Sequence, residues 1–568
     1  MNHKRLLAVL LCGCLLSGCA DSSEAGSSTG GTVQESSTIR IAATVDAMTF
    51  TKNGVITTGQ RFLSDYSQLA LTAPEGASVY YTLDGSVPDR NAALYNEPIR
   101  LEQLVGDFPQ CYVLRAKAYF EDGTETETAT QTFWTAFDIA SSYHNYVVSL
   151  VGDPAEITEG PDGIFYKENA KKRGRNSERP VSVEIVDRDG NAVLAQNAGM
   201  RVFGAASRES SIKSVKIFAR KSYDEAHGKF DLDLFGTADA EGGVIADYDK
   251  LVLRNAGNDF QFAFIRDEFN QTLAAEAGFS DSEAVLPVVV YLNGSYYGVH
   301  WMHESICDDL LKDKYGGKGA GQYVVLEGKE QEKNVPEDDE EEAAAAGEFN
   351  TAYTALSALD LTDDANYAKV CEFMDVQNYF NYYAFNIYIN NNDWPQNNMK
   401  VYRYYANDSA EYSTDENART DGKWRWWMHD TDYAEGLYEQ PETQAQYNNL
   451  AEILKPGSDR YAPMFAALMQ RDDCKQAFLD EMQRLMDGVL SPEHMGETLD
   501  RMNTERYFEM IRYFTHLEEM KKTDSSIWIW YQGFLDQQKI IRSFIEDRPA
   551  YMTKFLDEAF SADEAETE

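Results

Sequence analysis

Cysteine is scarce in this chain. The sequence of 568 residues holds seven cysteines, and only Cys111, Cys307, Cys371 and Cys474 lie beyond the first 19 residues. These four lack the spacing of a metal site and are too few to form a disulfide framework. We expect them to be core thiols, so the stability of the protein must come from packing.

Positive charge is also in short supply. Lys and Arg number 51 against 94 Asp and Glu, which gives a formal net charge of −43. Such a charge argues against nucleic-acid binding through phosphates and against docking on anionic lipid. It favours solubility outside the cell and basic protein partners. Global disorder is excluded, because 34 Tyr, 28 Phe and 8 Trp supply material for large cores.

The sequence lacks the signatures of common hydrolases. Its GxSxG string, at residues 26–30, lies in Ser/Gly-rich sequence and not between a strand and a helix, so it is no nucleophile elbow, and no zinc motif occurs. A polysaccharide hydrolase would need two carboxylates on either side of a sugar site, and the sequence alone cannot locate such a pair. That function therefore has no specific support.

The apolar run at residues 6–16 is too short to span a membrane as a helix. It follows a basic start and precedes Leu-Ser-Gly-Cys19, which is the order of a secretory signal. The ending resembles a bacterial lipobox, in which Cys19 is lipidated; a plain signal with an incidental Cys is the alternative. We predict a lipoprotein signal over 1–19 and a flexible Ser/Gly-rich tether over 20–37. The remainder is then extracytoplasmic, and the lipid anchor on the outer face of a bacterial membrane is its only membrane contact.

Residues 38–135 have the composition of short β-strands separated by turns. The segment 112–119 alternates as a half-buried strand does, and 79–88 runs into a Gly/Pro turn. Several strands within roughly 100 residues predict a small antiparallel β-sandwich. The string YYTLDGSVPD…LYNEPIRL…LRAKAYFEDG resembles the Ig-like domain at the C-terminus of chitobiase and hexosaminidase enzymes. That resemblance implies a spacer or accessory module without catalytic residues.

The larger part, residues 136–560, begins with mixed α/β sequence and becomes helical. A helix is predicted over 260–277, and a hairpin over 288–301 is predicted from two apolar strands around Asn-Gly. Residues 445–560 are predicted to be helical throughout, and residues 561–568 to form an acidic tail. The predicted fold class is α+β, with an N-terminal sandwich followed by a mixed domain that has a helical C-terminal lobe.

The most informative motif is Asp393-Trp-Pro-Gln-Asn-Asn398, followed by His429-Asp430-Thr-Asp432. A helix capped by Asp375 ends in three Asn residues, which release the chain into the Asp393 loop. A strand over 424–428 delivers Asp430, so the two acids can lie close together. An Asp that accepts the hydroxyl proton, and an Asn and second Asp that hold Mg²⁺, are the parts that phosphoryl transfer needs.

Several further segments accompany this motif in a fixed order: 201–204 with Ser207-Arg208, 213–217, 264–267, 291–294 with Tyr297-Gly298 and Glu304, 392–394 with Asn397-Asn398, and 430–432 with Gly436. In this order they resemble the CotH family of spore-coat-type secretory kinases. The resemblance implies an atypical protein-kinase fold. It also implies transfer of phosphate from ATP, with Mg²⁺ or Mn²⁺, to Ser or Thr of a surface, coat or secreted protein.

The resemblance also implies roles for the acidic motif. Asp393 is the expected base that orients the acceptor hydroxyl, and Asn398 and Asp430 are the expected metal ligands. Asp432, two residues further along, is a candidate second ligand. Neighbouring carboxylates repel one another unless a cation lies between them, which independently favours a metal.

Nucleotide contacts are expected from the N-terminal half of the same domain. Lys213 is the candidate for the lysine that meets the phosphates from a strand, with Lys216 as its competitor. Ser207 and Arg208 lie in a turn that can cover phosphates, and Glu304 can pair with the lysine or meet the nucleotide. The expected partners are ATP and a basic or Ser-rich protein substrate, without nucleic acid.

The chain departs from the family's pattern at two places. The family often has His before the metal-binding Asn and Pro-Trp before the Asp pair, whereas this chain has Asn397 and Met428-His429. Neither change removes an expected ligand, but both are compatible with a catalytically inactive member of the family. The alternative function is a catalytically silent kinase-fold surface lipoprotein that binds wall polysaccharide or a protein.

Overall fold

The computed structural model of the chain describes residues 38–42, 59–64, 68–72, 75–101, 109–136, 138–317, 319, 321–334, 340–415, 418–527 and 531–560. The predicted signal with Cys19, the tether (20–37) and the acidic tail (561–568) lie outside these ranges. Within the ranges, no helix has both the length and the apolar character needed to cross a membrane.

The N-terminal module consists of two facing sheets. Its strands are β1 (Thr38–Ala42), β2 (Phe62–Ser64), β3 (Gln68–Thr72), β4 (Ala77–Thr82), β5 (Ala93–Leu94), β6 (Ile99–Arg100), β7 (Gln110–Phe120) and β8 (Ala129–Ala136). One sheet has the order β2-β8-β7-β4-β5 and the other β1-β3-β6. Leu69 from the smaller sheet and Leu114 and Phe133 from the larger one share a buried core.

The predicted two-layer sandwich is present, but it is not wholly antiparallel. Strands β1 and β3 pair in parallel, and so do β2 and β8. Alternation of apolar and polar residues specifies which face of a strand is buried and carries no information on strand direction. The sequence pattern therefore predicts the layers and misses these two parallel pairs.

Seven strands of the next region close a barrel. The strands of this region are β9 (Tyr146–Val151), β10 (Arg179–Val186), β11 (Ala192–Val202), β12 (Val215–Phe218), β13 (Phe230–Asp231), β14 (Asp247–Tyr248), β15 (Lys250–Arg254), β16 (Val285–Leu292) and β17 (Ser295–Glu304). The barrel order is β10-β11-β12-β15-β17-β16-β9. Its interior is filled by inward-facing apolar side chains such as Val183, Ile217 and Val290. The β16–β17 hairpin turns at Asn293-Gly294, both with positive φ, as an Asn-Gly turn requires.

The C-terminal lobe combines a small sheet with helices. The sheet is β18 (Gly321–Gly328), β19 (Met399–Ala406) and β20 (Arg425–Trp427). The α-helices within the described residues are α1 (Pro154–Ile157), α2 (Lys167–Ala170), α3 (Arg266–Glu276), α4 (Asp308–Tyr315), α5 (Glu340–Ser357), α6 (Asp364–Phe373), α7 (Val376–Tyr388), α8 (Asn449–Leu454), α9 (Pro463–Leu468), α10 (Asp472–Asp487), α11 (Pro492–Glu505), α12 (Tyr507–Met520) and α13 (Tyr531–Phe560). The mixed α+β class with a helical C-terminal region is confirmed.

Helix α3 begins at Arg266, six residues later than the sequence pattern predicts. The carboxylate of Asp259 accepts N–H bonds from Ile265 and Arg266 at 2.8 and 3.0 Å, and it also pairs with the Arg266 guanidinium. Phe264, just before the helix, has a φ of 58°. A buried ion pair thus fixes the start of the helix, which apolar periodicity cannot reveal.

The N-terminal module packs directly on the barrel. Arg61 in the module donates to Glu184 on β10 over 2.8 Å, and both side chains are buried. The backbone N–H of Thr132 donates to the other oxygen of Glu184 at 2.6 Å. The rings of Trp134 and Tyr291 meet edge to face at 5.4 Å. Polar and apolar contacts therefore join the module to the barrel.

Candidate active site

A cleft of about 290 Å³ lies between the barrel and the C-terminal lobe. One wall comes from β11, β12 and the loop between them, and the other comes from the Asp393 loop and the segment after β20. Its lining residues are Arg173, Arg201, Phe203, Gly204, Ala205, Ala206, Ser207, Arg208, Ser214, Lys216, Arg254, Gly257, Asn258, Glu327, Asp393, Asn398, His429, Asp430 and Asp432. Asp393 and Asp430 thus lie in one cleft although 37 positions separate them in the sequence.

Helix α7 positions the Asp393 loop. The carboxylate of Asp375 caps the helix by accepting the N–H of Asn378 at 3.0 Å, as predicted. The helix ends at Tyr388, and Asn390 turns the chain with a φ of 55°. Beyond the turn, buried Trp394 packs against the helix, so the adjoining acid is held at the cleft.

Two amide groups hold the carboxylate of Asp393. Asn397 donates to Oδ1 and Asn398 donates to Oδ2, both over 2.9 Å. Burial raises the pKa of Asp393, the two hydrogen bonds oppose that rise, and the nearby charge of Asp430 adds to it. A carboxyl group whose pKa is raised toward the working pH is a better proton acceptor than an ordinary surface Asp.

Asp430 follows β20 as the sequence predicts. Its backbone has a φ of 53°, and Asn398 has a φ of 55°. A left-handed backbone is uncommon outside Gly and is frequent at functional sites in Asn and Asp. Oδ1 of Asp430 accepts a hydrogen bond from Arg254, yet 26% of the Asp430 side chain remains exposed to the cleft.

Asp432 has a different environment from that expected of a second metal ligand. Its side chain is buried, with Oδ2 accepting from Arg254 and from the backbone N–H of Asn258, both at 2.8 Å. The Asn258 side chain donates to Oδ1 at 3.0 Å. Protein donors thus satisfy both oxygens, and Arg254 supplies the counter-charge that a metal would otherwise provide.

The oxygen donors at the acidic wall suit Mg²⁺. Asn398 uses its amide nitrogen on Asp393, which leaves the amide oxygen for a metal, and Asp430 offers a partly exposed carboxylate. Mg²⁺ prefers such hard oxygen ligands and keeps several waters or phosphate oxygens in its shell. Asn398 and Asp430 therefore fit the ion, whereas Asp432 does not offer it an available oxygen.

The structure places Lys216, and not Lys213, in the cleft. Lys213 precedes β12, and its ammonium donates to the carbonyls of Arg208 and Ser210 at 2.8 and 3.0 Å. Lys216 is within β12 and faces the cleft with its ammonium 4.7 Å from the centre of the Phe203 ring. The geometry thus favours Lys216 over Lys213 as the phosphate-binding lysine, because backbone carbonyls hold the Lys213 ammonium away from the lining.

The ammonium of Lys216 lacks a neutralising neighbour. Burial and, after it, the positive charges of Lys250, Lys400 and Arg201 together lower its pKa to about 7, with the charge of Glu283 opposing them. No ion pair of Lys216 within 4.0 Å occurs in the part of the chain that the structure describes. An anion in the cleft would restore the charged form, which is the expected behaviour of a phosphate-binding lysine.

The turn with Ser207 and Arg208 lies on the cleft, as expected, but the two side chains differ. Arg208 donates from Nε to the carbonyl of Gly204, and from Nη1 to those of Ala170 and Lys172. Its guanidinium therefore stabilises the turn, and its donors are used on backbone carbonyls instead of a ligand. Ser207 keeps its place in the lining and remains a candidate phosphate contact.

Glu304 lies off the main cleft. It is fully buried at the end of β17, where it accepts the hydroxyl of Thr237 at 2.5 Å and the N–H of Ala284 at 3.3 Å. It lines a small adjoining pocket together with Lys216 and Phe203. The predicted pairing of Glu304 with a lysine is absent among the described ion pairs.

Several lining residues are ones to which the sequence pattern assigns no role in the site. Arg254 on β15 meets acids about 180 positions away, so no local pattern connects it with them. Arg173 and Arg201 are likewise brought to the cleft by the barrel. His429 is held by Glu283 at 3.1 Å, which fixes the strand end that delivers Asp430.

Asp267, Glu268 and His303 form a buried group with potential metal ligands. Burial would lower the pKa of His303, but hydrogen bonds to Glu268 and Glu283 raise it to about 9. Asp267 faces Arg254 at 3.4 Å. Asp267 and Glu268 thus each face a cationic side chain of the protein, and the group belongs to an internal ion-pair network beneath the cleft.

Two protein-family models match parts of the chain. The family model for CotH kinase proteins matches residues 200–552, more than half of the chain. The Fn3-associated model matches residues 69–133, within the two-sheet module. No curated protein matches the chain. The first match begins in β11, so β9, β10 and most of β11 precede it although they close the barrel.

Proposed function

The chain belongs to the CotH kinase family, and on that premise we propose that it is an atypical protein kinase. In this proposal it transfers the γ-phosphate of ATP to a serine or threonine of a surface, coat or secreted protein. The observation that carries the proposal is the meeting of Asp393, Asn398 and Asp430 across one cleft from Lys216.

The two walls of the cleft have opposite charge. Lys216, Arg201 and Arg173 lie on the barrel side, while Asp393 and Asp430 lie on the other. A nucleotide triphosphate with its metal has the matching arrangement, because its phosphates are anionic and its metal is cationic. The basic wall then takes the phosphates, and the acidic wall takes the metal and the acceptor hydroxyl.

Asp393 performs the proton transfer in this proposal. The acceptor hydroxyl oxygen bonds to the γ-phosphorus, the bond from that phosphorus to the bridging oxygen breaks, and ADP leaves. The carboxylate of Asp393 takes the hydroxyl proton, while Asn397 and Asn398 fix the carboxylate's orientation. The ammonium of Lys216 stabilises the negative charge that develops on the leaving phosphate group.

Asn398 and Asp430 would hold the divalent metal. When bound there, Mg²⁺ or Mn²⁺ would supply positive charge to offset that of the phosphate oxygens. Arg254 fixes Oδ1 of Asp430, and the Asp430 side chain remains partly exposed at the cleft. Asp432 supports this arrangement through Arg254 and Asn258 and does not contact the metal.

The cellular location is also a proposal. The lipobox-like end at Cys19 and the Ser/Gly-rich tether support attachment of the kinase to the outer face of a bacterial membrane. In that location the substrate would be a neighbouring surface or secreted protein, and ATP would have to be supplied outside the cytoplasm.

Phosphate transfer from labelled ATP tests the proposed function. We expect the purified protein with Mg²⁺ or Mn²⁺ to label itself or a Ser-containing protein, and the Asp393→Asn variant to lose that labelling. ATP binding without transfer to any acceptor would favour the silent, partner-binding alternative. Labelling that persists in Asp393→Asn would place the chemistry elsewhere.

A further inference from the structure

The surface beside the cleft is basic although the protein is strongly acidic. Residues 167–175, the basic segment, contain five basic side chains and one acidic one, Glu168. The whole chain has nearly twice as many acidic as basic residues. A local reversal of charge of this kind is an electrostatic signal for an anionic partner.

The basic segment is fixed at the mouth of the cleft. Arg208, from the turn that lines the cleft, donates to the carbonyls of Ala170 and Lys172 at 2.7 and 3.1 Å. Arg173 in the middle of the segment itself lines the cleft with Asp393 and Asn398. The segment therefore borders the cleft in which Asp393 lies.

The charges of the basic segment are largely unneutralised. Lys171 pairs with exposed Glu209 at 2.5 Å, and Arg175 contacts the hydroxyl of Ser222. Within the described ranges, neither Lys172 nor Arg173 forms an ion pair within 4.0 Å. The positive charges of Arg173 and Arg201 help to lower the pKa of Arg208 to about 10, after the larger effect of burial. Cations that repel one another at an open cleft favour binding of an anion between them.

We propose that Lys171, Lys172 and Arg175 of the basic segment bind the acidic residues that flank the phosphorylated serine or threonine of the acceptor protein. This inference rests on the proposed kinase function and names the substrate class of the same site. It revises the expectation of a basic acceptor, which followed from net charge alone. The net charge of the whole protein governs its solubility, whereas the charges beside the cleft determine which substrates bind there.

Peptide binding to the full chain tests this assignment. Two fluorescent peptides carry one Ser each, flanked by Asp and Glu in one and by Lys and Arg in the other. Anisotropy is measured with Mg²⁺ and a non-hydrolysable ATP analogue. We expect the acidic peptide to bind about tenfold or more tightly than the basic one, with a difference that shrinks as salt screens the charges. Equal binding, or tighter binding of the basic peptide, overturns the inference.

A charge-reversal variant locates the interaction. Lys171→Glu/Lys172→Glu/Arg175→Glu changes exposed side chains of the basic segment and avoids Arg173. We expect it to bind the acidic peptide about tenfold more weakly. The matched control, Lys369→Glu/Lys539→Glu/Lys554→Glu, reverses three lysines on α6 and α13, outside the cleft lining, and should bind like the wild type. Equal loss in both variants would show a general charge effect and overturn the inference.

Two further measurements separate the alternatives. Calorimetry with Mg²⁺ and ATP should give the same affinity for the charge-reversal variant as for the wild type. If ATP does not bind to either protein, the kinase proposal fails, and the peptide comparison still decides the inference about the basic segment. Sedimentation with phosphatidylglycerol vesicles tests a membrane role. Vesicle binding that the variant loses while it retains peptide binding would assign the segment to lipid and overturn the proposal.

Discussion

Asn398 donates a hydrogen bond from its side-chain nitrogen to Oδ2 of Asp393 over 2.9 Å. The bond joins a candidate metal ligand to the candidate base, so loss of Asn398 should affect both metal binding and proton transfer. Asn397 makes the equivalent bond to Oδ1 and is not a candidate ligand. The two asparagines are therefore a matched pair for separating the two effects.

Asn397→Ala and Asn398→Ala should each shift the pH dependence of phosphate transfer. The hydrogen bonds to Asp393 lower its pKa, so removing either one raises it. Transfer needs the ionised carboxylate, and its acidic limb should therefore move to higher pH in both variants. Only Asn398→Ala should also weaken metal-dependent ATP binding in calorimetry. An identical metal dependence in the two variants would exclude Asn398 as a ligand.

Lys216→Met and Lys213→Met should differ in nucleotide affinity. Lys216 faces the cleft, whereas backbone carbonyls hold the ammonium of Lys213. Loss of a charged hydrogen bond to phosphate corresponds to about a 10- to 100-fold weaker ATP affinity for Lys216→Met. Lys213→Met should retain ATP affinity and lower the melting temperature. Weaker ATP binding in Lys213→Met alone would restore the original assignment.

Arg61→Met should destabilise the whole described unit, not the N-terminal module alone. It leaves the carboxylate of Glu184 buried without its partner, at a cost of about 3–5 kcal/mol. Urea unfolding followed by tryptophan fluorescence measures the change. The double variant Arg61→Met/Glu184→Leu should recover part of the loss, because no unpaired charge remains. A loss confined to an early, separate transition would show that the module unfolds independently of the barrel.

Cys19→Ala should prevent lipid attachment if residues 1–19 are a lipoprotein signal. The expected result is release of the protein into the medium or retention of the uncut signal. Fractionation of cells followed by mass measurement distinguishes these forms. A variant that stays in the membrane and is trimmed normally would contradict the lipoprotein prediction.

Local sequence patterns predicted much of the acidic wall. The Asp375 cap, the three Asn residues after α7 and the aromatic strand before Asp430 are signals that neighbouring residues carry. They predict that Asp393, Asn398 and Asp430 lie on neighbouring loops, and all three residues line the cleft. The hairpin at Asn293-Gly294 followed from turn chemistry in the same way.

Ion pairs between residues far apart in the sequence cannot be predicted from local sequence patterns. The late start of α3 depends on the pairing of Asp259 with Arg266, and Asp432 is occupied because Arg254 arrives from β15. The choice between Lys213 and Lys216 depended on where β12 begins, which periodicity does not define to one residue. The position of the basic residues 167–175 beside the cleft likewise cannot be predicted from local sequence, because it depends on the three-dimensional fold.

The most direct test of the account compares Asp393→Asn with Asp430→Asn. Calorimetric titration with Mg²⁺ and ATP is measured beside the rate of phosphate transfer. Asp393→Asn should bind ATP nearly as the wild type does and transfer phosphate on the order of 10²–10⁴ times more slowly. Asp430→Asn should lose metal-dependent ATP binding, because a charged ligand becomes neutral. Unchanged transfer in both variants would contradict the assignment of this cleft as the active site.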